Sequence, residues 1–342
     1  MEHLRVGLVG YGGSGRGIHS RLLKEIGQHV TVVVTRTHAE QVKADWPRAT
    51  VVPDVATLLQ HAIGVDLVVV ASPTGQHASD VARILDKGLP VLVDKPLATT
   101  EKAASELVRE ATRHGGRLTV FQNRRYDSEQ LTLQAVLKAG ELGHVHRFER
   151  RWERFRPVPQ QRWKELDPEA GGLLLDLGSH LVDSAIQLFG PVASVSAELR
   201  AITTPAVDDV FLALQHVPSA DGHAVISHLT AGALVGAPGP RTRVLGDKGA
   251  FLVTHFEGEA TPFELLDERR GVPPHEAWLV RGAEMTPVPT APGGHADLYR
   301  AVVRWAAEGG PAPVDPLDAV HVARVLDAAK VAAVEGRSVK LA

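Results

Sequence analysis

Between Leu4 and Phe121, short apolar runs alternate with amphipathic stretches. The runs Leu4–Val9, Val30–Thr35, Asp66–Ala71, Val91–Val93 and Leu118–Phe121 are almost continuously apolar. That pattern suits strands buried on both faces of a parallel sheet, where neither side tolerates an unpaired polar group. Helical periodicity covers Ile18–Ile26, Ala78–Lys87 and Glu101–His114, and the last two run into Gly88 and Gly115-Gly116. Glycine suits the left-handed residue that closes a helix. Strand–helix alternation of this kind predicts a doubly wound α/β domain.

The pattern changes after Asn123. A helix is predicted over Ser128–Ala139, a charged extended segment over His144–Phe155, and a second helix over Leu173–Phe189. Strand-like runs follow at Ala193–Arg200, Val210–Val217, Ala224–Thr230 and Arg243–Thr254, several alternating apolar and polar positions as half-exposed antiparallel strands do. Helical pattern returns at Ala296–Ala307 and Leu317–Val334, while Gly236–Pro240, Gly271–Pro274, Pro287–Gly294 and Gly309–Pro313 read as loops. The expectation is an α/β Rossmann domain over 1–123 and an α+β domain over 124–342. The second domain is expected to carry a large, open, mostly antiparallel sheet with helices on one face.

Composition narrows the function. The 342 residues suit two domains at about 150 residues each, and a chain 44% hydrophobic and 23% charged buries an ordinary core. A net charge of −3 provides no basic field for nucleic acid or for a membrane surface. The chain has no cysteine, which excludes a disulfide framework, a thiolate metal site and a thiol nucleophile. Neither a signal-peptide pattern nor a run approaching the ~18 apolar residues of a membrane span is visible. A cytoplasmic protein acting on a small molecule is expected, with neither nucleic acid nor membrane as partner.

The candidate chemistry begins at Gly10-Tyr11-Gly12-Gly13-Ser14-Gly15, which follows a strand and opens a helix. A lone GxGxxG is weak, but here it stands at the first strand-to-helix turn, where backbone amides and a helix N-terminus bind pyrophosphate. The second strand ends in Thr35-Arg36-Thr37. An acid there would bond the ribose 2′-hydroxyl of NAD, whereas a guanidinium holds a 2′-phosphate, so NADP is favoured. The alternative is an Arg36 that only stacks on adenine, with NAD also accepted.

Ser72, Pro73, Thr74 and His77 follow the fourth strand and are candidates to line the nicotinamide ribose, with His77 equally readable as a helix-start residue without a ligand. Asp94-Lys95-Pro96 ends the fifth strand and points a lysine toward the cofactor crevice; a cis bond before Pro96 is open to this dipeptide. In Gly171–Asp183, Asp176, His180, Asp183 and Gln187 fall on one helical stripe. The stripe reads either as a solvated face or as part of a site, with the paired glycines admitting a close neighbour. As a metal site it lacks a third ligand at a recognisable spacing. Asn123, the following arginines, Tyr126 and the Arg162-Trp163 pair are further cofactor or substrate candidates, or else structural contacts.

These residues together resemble the Gfo/Idh/MocA family, named for glucose–fructose oxidoreductase and inositol dehydrogenase. The resemblance spans nearly the whole length and rests on Gly10–Gly15, Lys95-Pro96, Asn123-Arg124-Arg125 and Gly171–Asp183. It is nearest to NADP-dependent polyol members. It implies an NAD(P)-dependent oxidoreductase in which Lys95, Asp176 and His180 form the catalytic set. It also implies a homodimer or homotetramer built through the C-terminal sheet. The family usually has Glu before Lys-Pro; Asp94 keeps the charge and shortens the reach by one methylene. Two rivals stand beside this expectation: a silent NADP-binding regulator, and other redox chemistry on the fold, with dihydrodiol, imine or C=C substrates.

Overall fold

The computed structural model describes residues 3–61, 64–254 and 275–341. The chain divides into two compact units, Met1–Asn123 with Gly294–Ala323, and Arg124–Gly293 with Arg324–Ala342.

The first unit is built on β1 (Arg5–Val9), β2 (His29–Val34), β3 (Thr50–Val52), β4 (Leu67–Val70), β5 (Val91–Asp94) and β6 (Leu118–Phe121). They pair in parallel in the order β3-β2-β1-β4-β5-β6. This is the doubly wound arrangement, whose strand order reverses between β1 and β4. Every residue of β4 and β6 is buried, as their unbroken apolar runs require. The glycine loop leads into a π-helical segment, Gly15–Ser20, and α1 (Arg21–Glu25), where one regular helix is predicted. α2 (Ala39–Asp45), α3 (Val55–Gln60), α4 (Thr74–Leu85) and α5 (Glu101–Arg113) follow. Side chains cap two of these: Asp54 accepts from Thr57 N at 2.8 Å, and Thr100 from Ala103 N at 3.3 Å.

Residues 294–323 pack with this first unit, whereas the sequence pattern assigns all of 124–342 to the second domain. The reason lies in long-range contacts. Thr119 Oγ1 donates to Val314 O at 2.9 Å, Arg117 donates to Ala306 O at 2.7 Å, and Tyr299, fully buried in the helix His295–Glu308, meets Phe121 with ring centroids 5.5 Å apart.

The second unit carries β7 (Val145–Glu153), β8 (Val192–Arg200), β9 (Asp209–His216), β10 (Ile226–Gly232), β11 (Thr242–Gly246), β12 (Gly249–Val253), β13 (Ala277–Arg281), β14 (Glu284–Val288) and β15 (Val339–Lys340). They form one sheet in the order β14-β13-β12-β11-β7-β10-β9-β8-β15. β7 and β10 pair in parallel; the other pairs are antiparallel. One face is apolar, with Phe148, Leu212, Leu214, Leu229, Val244 and Phe251 all at 0% exposure. α6 (Ser128–Lys138), α7 (Trp163–Leu166) and α8 (Ser179–Phe189) belong to this unit with the C-terminal part of the helix Pro316–Glu335, α8 being preceded by a π-helical segment, Leu174–Gly178.

Two details differ from the sequence pattern. Arg243–Thr254 is a hairpin, turning between Gly246 and Gly249, and not a single strand. Pro287 and Val288 extend β14 instead of opening a loop. The predicted loop Gly271–Pro274 lies outside the described residues. Among the described residues no helix is long and apolar enough to cross a membrane.

Candidate active site

In the first unit the glycine loop stands where β1 and β4 diverge. Gly10 N donates to Val34 O at 2.9 Å, and Gly10 adopts φ +90°, where a Cβ would meet Ala71 O at 2.5 Å. A Cβ on Gly15 would stand 2.1 Å from Gly10 O, so Gly15 is demanded by the loop's own packing. Gly12 and Gly13 differ: nothing lies within 4 Å of a Cβ built on either. That open space over a backbone turn is the shape a pyrophosphate needs, so these residues fit a dinucleotide.

Two loop side chains turn away from such a ligand. Tyr11 is 2% exposed, its hydroxyl donating to Asp45 at 2.8 Å and lying 3.2 Å from Ser20 Oγ, which leaves only its backbone for a cofactor. Ser14 donates its hydroxyl to Asp94 Oδ2, tying the loop to the end of β5. Beyond β2, Thr35 Oγ1 accepts from the amides of Thr37 (3.4 Å) and His38 (3.3 Å), and this turn presents Arg36 exposed to solvent.

His77 is 1% exposed, with Nδ1 2.9 Å from Pro96 O and Nε2 2.8 Å from Ser72 O. The ring therefore braces the end of β4 to the Lys95-Pro96 step, whose bond is cis. Ser72 spends its hydroxyl on Asp80 at 2.8 Å, and Thr74 is buried at the start of α4.

Asp94 joins a chain of groups that sequence reasoning missed. His19 Nε2 lies 3.5 Å from Asp94 Oδ2, and Nδ1 of the same fully buried ring lies 2.5 Å from Tyr299 Oη. Burial pushes the Asp94 carboxyl up, but the His19 imidazole, the Lys95 charge and the Ser14 hydroxyl outweigh it and hold the group well below the usual carboxylate range. Burial, reinforced by Asp94, pushes the Tyr299 phenol well up. A His following the glycine loop on the buried side of a helix was the available signal for His19; none pointed to Tyr299. Asn123 is 6% exposed, with Nδ2 3.3 Å from His295 Nε2.

In the second unit the paired glycines do admit a close neighbour, and it is the chain itself. A Cβ on Gly171 would meet Lys164 O at 2.4 Å and Asp167 O at 2.5 Å, and Gly172 adopts φ +79°. α7 thereby comes against the segment that carries Asp176, and Lys164 Nζ donates to Asp176 Oδ2 at 2.7 Å. Lys164, also missed from the sequence, shares a cleft with Asp176, Arg154, Arg162, Leu173 and Val207. Arg162 is engaged with Glu165 Oε1 at 2.6 Å, and Trp163 is 43% exposed.

The polar stripe is not a wet face at its centre. His180 is 8% and Asp183 3% exposed, whereas Asp176 is half-buried and Gln187 is exposed. His180 stacks on Trp152 with centroids 5.9 Å apart, and the guanidiniums of Arg241 and Arg124 lie 4.4 and 4.7 Å from the Trp152 ring. Asp183 takes a bidentate pair from Arg125 at 2.9 and 2.5 Å. Tyr126 is half-buried in the short turn Asn123–Tyr126. The unit thus presents a carboxylate steadied by an ammonium and an imidazole backed by an aromatic wall, groups able to accept and return protons.

Residues 4–122 match a family described as "Oxidoreductase family, NAD-binding Rossmann fold", and residues 130–252 match the "GFO/IDH/MocA C-terminal domain". Scyllo-inositol 2-dehydrogenase (NADP(+)) IolW of Bacillus subtilis is 29% identical, over 100% of this chain and 97% of its own. The oxidoreductase YdgJ of Escherichia coli is 34% identical over 95% of both chains. Among solved structures, the oxidoreductase YvaA of Bacillus subtilis superposes with a TM-score of 0.86 at 28% identity, covering 100% of this chain and 99% of its own. An oxidoreductase from Klebsiella pneumoniae gives 0.83 at 30% identity, over 100% and 96%.

Proposed function

The chain belongs to the GFO/IDH/MocA oxidoreductase family, and from that premise we propose that it moves a hydride between NADP and a secondary hydroxyl or carbonyl of a sugar, inositol or related polyol. That it is an NAD(P)-dependent oxidoreductase acting on CH–OH groups rests on the family and its inositol dehydrogenase relatives. The observation that carries the reading is the loop at 10–15, whose open side at Gly12 lies where β1 and β4 part.

In this reading Gly10–Gly15 hold the pyrophosphate through backbone amides, and Arg36 takes the 2′-phosphate in the planar, bidentate manner of a guanidinium. The nicotinamide, when bound, accepts or gives the hydride. Lys95 donates a hydrogen bond to the substrate oxygen and stabilises the charge that develops there. His180 takes the hydroxyl proton during oxidation and returns it during reduction. Asp176, steadied by Lys164 at 2.7 Å, keeps a negative charge available beside the proton path. The NADP-dependent scyllo-inositol dehydrogenase relative supports the polyol and the cofactor. We further propose assembly into a dimer or tetramer through the outward face of the nine-stranded sheet, where Phe211 and Ile226 remain 36% and 37% exposed.

The test is NADP reduction across a panel of inositols and aldoses. Turnover with at least one member is expected, and Lys95→Met should lower it by ~100-fold or more while NADP binding persists, the scale of losing one transition-state donor. Turnover only with dihydrodiols, imines or alkenes would replace the polyol reading. Near-native turnover in Lys95→Met would remove the lysine from the mechanism.

A further inference from the structure

The parallel pairing of β7 and β10 has a chemical consequence at the end where both strands begin. Parallel neighbours start at the same edge of a sheet, so the residues that precede them lie side by side. The register pairs Ile226 with Arg147. Extended backwards, it sets Ala224 beside Val145 and His223 beside His144. The two imidazoles are indeed stacked, with centroids 3.9 Å apart and planes at 23°. Asp221 closes the group: its Oδ2 lies 3.8 Å from His144 Nδ1 and 4.0 Å from His223 Nε2. One ligand atom from each of the three residues falls within 4.8 Å of the others, and all three residues are exposed.

Both sides of this group are held in place. Ser219 Oγ donates to Asp221 Oδ1, leaving Oδ2 as the oxygen that faces the rings. The Ser219 amide donates to His223 O at 2.9 Å, which closes the turn around Gly222 at φ +82°. On the other side His144 N donates to Asp247 Oδ1 at 2.9 Å.

From this geometry we propose that His144, Asp221 and His223 form a binding site for a divalent transition cation of the zinc type, clipping the start of β7 to the β9–β10 connection. Two imidazoles and one carboxylate suit zinc, cobalt or nickel, and suit magnesium or calcium poorly because those prefer all-oxygen shells. Metal–ligand bonds near 2.0–2.2 Å need the ligand atoms to close by roughly an ångström, which exposed side chains do by rotation. Ser219 supplies the outer hydrogen bond that orients the carboxylate. A plain surface ion pair is the competing account, and the separations of 3.8 and 4.0 Å are long for a charge-assisted hydrogen bond. The site stands at the opposite end of β7 from Arg154 and Arg156, which line the cleft with Asp176. β7 is 9 residues long, about 30 Å at ~3.3 Å per residue. The cation is therefore a fastener of two central strands at their starting ends, independent of the proposed chemistry.

The experiment uses full-length, untagged protein stripped of metal with a chelator and titrated with Zn²⁺ at neutral pH by calorimetry, with Mg²⁺ as control. One saturable Zn²⁺ equivalent per chain is expected, together with a raised Tm and unchanged turnover on whichever substrate the enzyme accepts. His144→Ala and His223→Ala should each abolish that equivalent, and Ser219→Ala should weaken it by ~10-fold or more, the scale of losing an outer-shell partner. Since these positions are exposed, the metal-free variants should fold and melt like the native chain, which the same Tm scan reads. Failure to bind stoichiometric Zn²⁺, or binding that survives both histidine variants, overturns the site. Either result leaves the oxidoreductase reading untouched.

Discussion

Single residues divide sharply between those that shape the dinucleotide loop and those that leave room in it. Gly15 is crowded by Gly10 O at 2.1 Å from its would-be Cβ, whereas Gly12 meets nothing within 4 Å. Gly15→Ala should therefore cost stability by roughly 1–3 kcal/mol, as overpacking does. Gly12→Ala should leave the Tm unchanged and weaken NADP about tenfold, the equivalent of one lost backbone hydrogen bond. Thermal melts and cofactor titrations of both variants read this out, and a Gly12→Ala protein with native affinity would mean that no ligand approaches there. Arg36 is exposed beyond β2 with no acid at positions 35–37. Native protein should bind NADP more tightly than NAD, and Arg36→Asp should invert the order; equal native affinities would refute the assignment.

At the scale of elements, a buried charge cluster joins α6 to the central strands. Glu129 accepts ion pairs from Arg150 at 3.0 Å and Arg241 at 3.3 Å, with side chains 14%, 6% and 11% exposed, and Thr242 donates to it. Burial pushes the Glu129 carboxyl up, but the two guanidiniums and Thr242 prevail and hold it down at about 2. Arg150 shifts unfavourably, because its burial outweighs the pairing, yet a guanidinium stays charged at any working pH, so Glu129 governs the acid side. A carboxyl depressed in the folded state stabilises fully above its unfolded value of 4.5, and that contribution is lost as pH falls toward 2. Glu129→Gln should cost about 3 kcal/mol at pH 7 by leaving buried guanidiniums without their counter-charge. Its deficit against the native chain should shrink as the pH drops below 4.5. Urea midpoints measured from pH 7 to pH 3 check this, and parallel acid profiles would exclude Glu129 as a contributor.

For the whole molecule, the outward face of the nine-stranded sheet sets the expected assembly. Phe211 and His228 meet on it with ring centroids 5.7 Å apart, and Ile226 lies on the same strand as His228. Sedimentation equilibrium should give a dimer or tetramer, and Phe211→Glu should shift it toward monomer without lowering far-UV helix content. A native monomer at micromolar concentration would refute assembly through this face.

The sequence by itself determined the features that depend on neighbours along the chain. Unbroken apolar runs specified the central Rossmann strands, because a strand covered on both faces leaves no polar position. Gly10, Gly12 and Gly15 marked the loop through backbone geometry alone, and the Lys95-Pro96 and Gly171–Asp183 motifs carried the family. Short or interrupted strands escaped: β3 is three residues long, β13 and β14 flank a turn, and the hairpin at 246–249 lies inside one apolar run. Tertiary structure alone decided what depends on residues brought together from afar. Asp183 falls on a polar stripe in the sequence, and only the fold brings Arg125 to pair with it. His77 reads from sequence as a ligand or a helix-start residue, and only the fold brings its ring nitrogens within 2.9 and 2.8 Å of the carbonyls of Pro96 and Ser72. Tyr299 reaches His19, and Lys164 reaches Asp176, across separations that no periodicity encodes. Periodicity records which face of an element is buried; it carries no information about which partner buries it, and the partner decides whether a polar side chain braces the fold or stands ready for chemistry.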